Sequence, residues 1–247
     1  MRCWRCRDFR GVNVLNDLMR PRATLALAGL LLLVPGASAA ADAGTIELGA
    51  TLDTPRPGCP AVSTCLAVTR TTAYQSRVGA AAEPLTAPVS GRVVAFTLSL
   101  GAPTRQQISQ FERQFGGAAK ARVTVLDTTK RRPLTRRVAA QSGVFRLTPF
   151  FGTTNTFALV TSLRVRQGQT VAMTVPTYMP MLATGLSGSN RWRASRRPGH
   201  CGSAADPNPF FEQTALQVLG GARKIGCTYT QARLTYTVTM VPDARGR

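Results

Sequence analysis

Four places in this 247-residue chain carry residue types that could do chemistry. They are Cys3-Trp-Arg-Cys6, the single histidine His200 beside Cys201, the run Gly185-Leu-Ser187-Gly-Ser189, and a scatter of acids. A Cys-x-x-Cys holds a metal when a second ligand pair follows at suitable spacing, and none follows here. The serine run lacks the final glycine of a nucleophile elbow and reads as a flexible loop. With one histidine, a Ser-His-acid triad would have to use His200, and a Cys-His pair would need a free thiol, which an exported protein rarely keeps. One histidine and no dense acidic cluster also disfavour a transition-metal site. Sugar hydrolysis needs two carboxylates facing one bond. No spacing singles out a pair among Glu47, Asp53, Glu83, Glu112, Asp127, Asp206 and Glu212. The expectation is a non-enzyme with no cofactor and no metal.

Charge offers more. The formal net charge is +20, and beyond residue 40 the chain carries 25 basic and 9 acidic residues, the bases almost all arginine. A planar guanidinium grips phosphate or carboxylate at two points, so such an excess suits a polyanion. A coding bias toward arginine accounts for the same excess without function. Two clusters stand out: Lys130-Arg131-Arg132, and Arg191, Arg193, Arg196 and Arg197 around Trp192. Tyr178, bracketed by Pro176 and Pro180, and Trp192 are the aromatic candidates for stacking on a sugar. Strand alternation sends Trp192 to the opposite face from Arg191 and Arg193, which favours a core position for its ring.

The elements that must position these residues begin after the N-terminal forty. A basic stretch at residues 19–22, a twelve-residue apolar run at 23–34 and Ala37-Ser38-Ala39 read as a cleaved signal peptide, too short to stay as a membrane span. Met19 would start that peptide, so residues 1–18 read as an upstream gene-model extension. Residues 41–247 are expected to form one domain, exported and without a transmembrane segment. Four cysteines remain there, Cys59, Cys65, Cys201 and Cys227. An even number in an exported chain predicts two disulfides. Three pairings are open, and proximity favours Cys59 with Cys65 and Cys201 with Cys227.

Nine or ten strands at regular spacing predict an all-β fold, an antiparallel β-sandwich of jelly-roll type with one short helix. The helix is expected at residues 104–115, with Thr104 as its cap and Gly116-Gly117 at its end. Residues 91–100 alternate, placing Val94, Phe96, Leu98 and Leu100 on one face. Residues 156–182 read as the central hairpin, turning at Gly168. Residues 228–240 read as a last strand that pairs far back in the chain, with Leu234, Tyr236, Val238 and Met240 inward. Residues 196–226 read as an irregular loop.

The run at 157–180, Asn190-Arg-Trp-Arg-Ala-Ser195 and the late Cys227-x-Tyr229 together resemble uncharacterised secreted β-sandwich proteins of high-GC Gram-positive bacteria. The turn from Val165 to Val171 is also similar to one in jelly-roll carbohydrate-binding modules, a likeness that implies a fold and not a ligand. The expected function is an envelope-associated binding protein for carbohydrate or an anionic polymer, with no specific nucleic-acid partner. The expected ligand residues are Tyr178, Trp192, Arg191, Arg193, Arg196, Arg197, Arg131 and Arg132. An assembly protein working through protein contacts, or a glycan-active enzyme, are the alternatives.

Overall fold

A computed structural model describes residues 44–51, 53–59, 65–128, 134–201 and 213–244. Alternating apolar residues become strands where one face is buried, and among the described residues fifteen strands follow one another. They are β1 (Ile46–Leu48), β2 (Val68–Val78), β3 (Ala81–Ala82), β4 (Gly91–Ser99) and β5 (Lys120–Thr128). Then come β6 (Thr135–Gln141), β7 (Phe145–Arg146), β8 (Thr154–Val165), β9 (Thr170–Met179) and β10 (Leu182–Thr184). The last are β11 (Arg191–Ala194), β12 (Ala222–Lys224), β13 (Cys227–Thr230), β14 (Ala232–Leu234) and β15 (Tyr236–Pro242). All pairings are antiparallel.

Two sheets make the sandwich. One has four strands in the order β1-β15-β4-β8. The other runs β12-β6-β5-β9-β2-β11-β13, with β3 on β2 and β7 on β5, and a small β10-β14 pair stands apart. Val93, Phe96, Leu98, Phe157, Leu163, Val238 and Met240 of the first sheet are buried with Ala73, Val123, Val125, Val171, Met173 and Val175 of the second. Phe96 stacks on Phe157 at 5.1 Å, and Phe145 and Phe150 meet Phe157 edge-on at 5.7 and 4.9 Å.

The one α-helix among the described residues, α1 (Arg105–Phe115), has the ends its sequence predicts. Gln107 N–H donates to Thr104 Oγ1, the Gln107 side chain accepts from Thr104 N–H, and Gly116 closes the helix at φ 85°. A cap of this kind stabilises a helix by about 1 kcal/mol. Both expected disulfides are present, Cys59–Cys65 and Cys201–Cys227. Among the described residues no helix is long and apolar enough to cross a membrane. The expected signal peptide and gene-model extension lie outside the described residues.

Three expectations are corrected. The run at 156–182 is no hairpin: β8 pairs with β4, whereas β9 pairs with β5 and β2 in the other sheet. Gly168, at φ 82°, therefore turns a corner between sheets, and its N–H donates to Ala87 O rather than across to β8. In β4, Val93 and not Val94 faces inward, because a bulge inserts Val94 between the pairs Ala95↔Thr239 and Val93↔Met240 with β15. The last alternating run breaks into β13, β14 and β15, with Gln231 at φ 57° at the first break. Leu234, Tyr236, Val238 and Met240 are buried as expected, and β15 reaches back to β1 and β4.

The outer face of the larger sheet is covered too. Thr72, Thr124 and Thr174 are fully buried there, Thr174 Oγ1 lying 2.8 Å from Thr72 Oγ1 and 2.7 Å from Thr124 Oγ1. A strap including Thr214, Ala215 and Leu216 lies over them: Leu216 N–H donates to Thr72 Oγ1, and Gln141 Nε2 donates to Thr124 Oγ1 and Leu216 O. The hydroxyls satisfy one another, which is what keeps a buried polar belt from costing stability.

Candidate anion-binding surface

Strand β11 carries two of the arginines singled out by the sequence, Arg191 and Arg193, and its pairing decides what stands beside each. Arg191 is exposed and stands directly opposite Arg77 of β2. Like charges facing across a ladder repel, so this pair is held at some cost. Arg191 Nε donates to Gly188 O at 3.4 Å. Arg193 is half-buried and paired with Tyr74. Arg197 is exposed on the turn after the strand.

Arg196 does not join them. It is 4% exposed, and its guanidinium donates to Thr69 O at 2.7 Å and to Thr69 Oγ1 at 3.3 Å. Charge-assisted bonds to a backbone carbonyl make it a fastener between β11 and β2, which corrects its assignment to the ligand surface. Arg131 and Arg132 lie outside the described residues.

The two aromatic candidates present no face to solvent. Trp192 is 5% exposed and stacks on Tyr229 with ring centroids 4.2 Å apart. Tyr229 O–H in turn donates to Cys201 O, tying the pair to the disulfide-bounded loop. Tyr178 is fully buried, with Phe111 at 5.0 Å, Phe115 at 6.4 Å and Phe151 at 6.3 Å. Burial, helped by the nearby Glu112 charge, pushes its phenol up to about 12. Pro176 does not take the chain out of the sheet, as the bracketing prolines suggested. A bulge with Arg70 at φ 42° absorbs Pro176-Thr177, and Tyr178 still pairs with Thr69. A platform for stacking on a sugar ring is thus not available from either residue.

The outer face of the larger sheet holds a charged cluster that sequence reading missed. An Arg136 guanidinium N–H donates to Tyr74 Oη at 3.4 Å, bridging from β6 to β2 across β5 and β9. Ala172 of β9, with its short side chain, lies along the way. Arg193 is beside Tyr74 in register, and Glu83 follows β3 with its N–H bonded to Ser76 O. Burial pushes the Glu83 carboxyl above its ordinary range, with Arg193 and then Arg136 pulling the other way. Burial likewise raises the Tyr74 phenol, against the opposing pull of Arg136. Linear spacing gave no hint of this group, since Tyr74 and Arg136 are 62 residues apart.

A raised carboxyl binds its proton more tightly in the native state than in the unfolded chain. Its stabilising contribution is complete below the ordinary carboxylate range and is lost as pH rises through the native value. Glu83→Gln is therefore expected to raise the melting temperature at pH 7 by roughly 1–2 °C, since a partly exposed charge is screened. The difference should close near pH 4, checked by thermal melts at both values. A lower melting temperature at pH 7 would show that the arginines, and not burial, dominate.

A shallow groove opens on the outer face of the four-stranded sheet. Thr97, Ser99, Thr154 and Thr237 line it, with Arg233 at one end. The hydroxyls pair with their neighbours: Ser99 Oγ lies 2.7 Å from Thr154 Oγ1, and Thr97 Oγ1 2.8 Å from Thr156 Oγ1. Arg233, 8% exposed, donates to Asp53 O at 2.8 Å and Thr51 Oγ1 at 2.6 Å, which anchors the N-terminal segment. Burial lowers its pKa, with Asp53 opposing. Among the described residues no three His, Cys, Asp or Glu side chains converge as metal ligands.

The electrostatic balance is the most general property of the surface. The described residues include twenty Lys and Arg and only six acids: Glu47, Asp53, Glu83, Glu112, Asp127 and Asp243. One ion pair forms between them, Arg166 with Asp127 at 3.1 Å. Elsewhere guanidinium groups bond to neutral oxygens, as Arg92 does with Ser162, Arg113 with Ser109 and Arg233 with Asp53 O. These bonds orient the side chains without cancelling their charge.

Against family models, curated proteins and solved structures, the chain shows no match.

Proposed function

We propose that the protein is an exported, non-catalytic β-sandwich that binds an anionic polymer of the cell envelope, a phosphate- or carboxylate-bearing glycan. One observation carries the reading: the described residues hold twenty Lys and Arg against six acids, so positive charge stays in excess however the pairs form. Such a field draws a polyanion in and holds it without a deep pocket. Export is supported by the apolar run before Ala37-Ser38-Ala39 and by two disulfides. The resemblance to secreted β-sandwich proteins of high-GC Gram-positive bacteria points the same way.

Within the surface, Arg77, Arg191 and Arg193 are the contact residues of choice. Arg77 and Arg191 form a repelling pair that a bound phosphate or carboxylate would relieve. With Trp192 and Tyr178 buried, recognition of a neutral sugar by stacking has less support.

The test is titration with a poly(glycerol phosphate) chain and with a neutral β-glucan, at salt from about 0.05 to about 0.5 M. Binding to the phosphate polymer should fall steeply with salt, and Arg77→Gln/Arg191→Gln should weaken it about tenfold. Equal binding to the neutral glucan, or affinity unchanged by salt, would overturn the reading.

A further inference from the structure

We propose that the edge formed by β6 and β12 docks on an anionic lipid surface, inserting Val218 and Leu219 beside the cations Arg137, Arg223 and Lys224. Val218 and Leu219 are 70% and 66% exposed, adjacent in sequence and both aliphatic. They sit on a tight turn: Gly221 N–H donates to Val218 O, and Gly220 takes φ 77°. The turn is pinned to the sheet on both sides, Gly220 N–H donating to Val138 O and Val138 N–H to Gly221 O. The two side chains are thus presented on a hydrogen-bonded, exposed turn, with little ordering left to do on binding.

The cations follow at once. β12 ends the nine-stranded sheet, and all three of its residues, Ala222, Arg223 and Lys224, are exposed. Arg137 is exposed on β6 directly opposite Ala222. None of the three cations takes part in the one ion pair of the described residues. Farther along the same edge Leu134, 38% exposed, accepts a hydrogen bond from Ile225 N–H.

Basic residues on a short edge strand also guard against edge-to-edge pairing, and that role would explain Arg223 and Lys224 alone. It does not explain an aliphatic pair left in water at the tip. An exposed aliphatic pair followed by cations on the adjoining edge strands matches the layered chemistry of an anionic bilayer surface, apolar beneath and negative above. An exposed turn enters that deformable layer, whereas a protein partner would need a matching pocket. The site is separate from Arg77 and Arg191, which lie on strands at the other side of the sheet.

The experiment is co-sedimentation of the exported chain with vesicles of phosphatidylglycerol and phosphatidylcholine, and with phosphatidylcholine alone. Partition onto the anionic vesicles is expected, and little onto the zwitterionic ones. Val218→Ser/Leu219→Ser should lower it about tenfold. Arg223→Gln/Lys224→Gln should lower it by about the same factor. Arg105→Gln/Arg113→Gln, which removes the same charge from α1, should leave it within about twofold. The serine pair should keep wild-type binding to poly(glycerol phosphate), which separates this site from the polymer surface. Wild-type partition by the serine pair, equal binding to both vesicle types, or a dimer closed through the β12 edge would each overturn the proposal.

Discussion

Tyr178→Ala is expected to destabilise the domain by about 3–5 kcal/mol, the range for truncating a large buried aromatic. The ring is fully buried between α1 and the loop at Phe151, touching Phe111, Phe115 and Phe151. Removing it leaves a cavity that the capped helix and the paired strand β9 cannot collapse into. Its hydroxyl has no hydrogen-bond partner in that environment. Tyr178→Phe should therefore be neutral or stabilise by up to about 1 kcal/mol, because an orphaned buried hydroxyl is a cost. Chemical denaturation of the two variants checks both signs. A Tyr178→Ala protein of wild-type stability would show that the ring is not in the core. The same pair settles how loss of binding in Tyr178→Ala is to be read: any loss should track unfolding and be absent in Tyr178→Phe.

Removing the Cys201–Cys227 bridge with Cys201→Ser/Cys227→Ser is the second large expected effect, about 3 kcal/mol for a loop of this length. The bridge closes a segment with a sequence separation of 26 residues. That segment contains the strap over Thr72 and Thr174, the apolar turn at Val218 and the edge strand β12. Freed, the strap would expose hydroxyls that now satisfy one another, so the loss should be seen first locally. Hydrogen exchange is the suitable measure: Leu216 N–H, bonded to Thr72 Oγ1, should lose protection before the amides of β5 and β9. Cys59–Cys65, with a separation of six residues, should contribute less, about 2 kcal/mol. Equal effects of the two bridges would count against the strap as a covering layer.

The proposed docking edge and the proposed polymer surface would use the same excess of arginine in different ways. Arg77 and Arg191 face each other on neighbouring strands, and a bound anion would relieve their repulsion. Arg223 and Lys224 sit beside an aliphatic tip, so their attraction is joined to burial of apolar surface. Salt should thus weaken polymer binding more steeply than vesicle binding, since only the latter retains an apolar part.

Local features were legible in the sequence alone. Alternation in β4, β11 and β15 announced strands because one buried face imposes a period of two. Thr104 and Gly116 announced α1 because orphan helix ends are satisfied by neighbours in the chain. Trp192 was readable as core from its alternation with Arg191 and Arg193. Cysteine spacing favoured the two bridges that form.

What the chain could not announce is which strands become neighbours. Residues 156–182 look like a hairpin, since a glycine turn joins two apolar runs. Only the tertiary structure places β8 and β9 in opposite sheets, where each finds better-matched partners than the other. Val93 replaced Val94 in the core because a bulge, set by pairing with β15, shifted the alternation by one residue. Arg196 and Arg197 are adjacent and alike in sequence, yet one is buried against Thr69 and the other is exposed. The cluster of Tyr74, Glu83, Arg136 and Arg193 exists only because β2 and β6 enter one sheet. Composition and periodicity are properties of a segment, and they settled the fold class and the charge. A surface is made by strands distant in sequence, so its membership was decided by pairing.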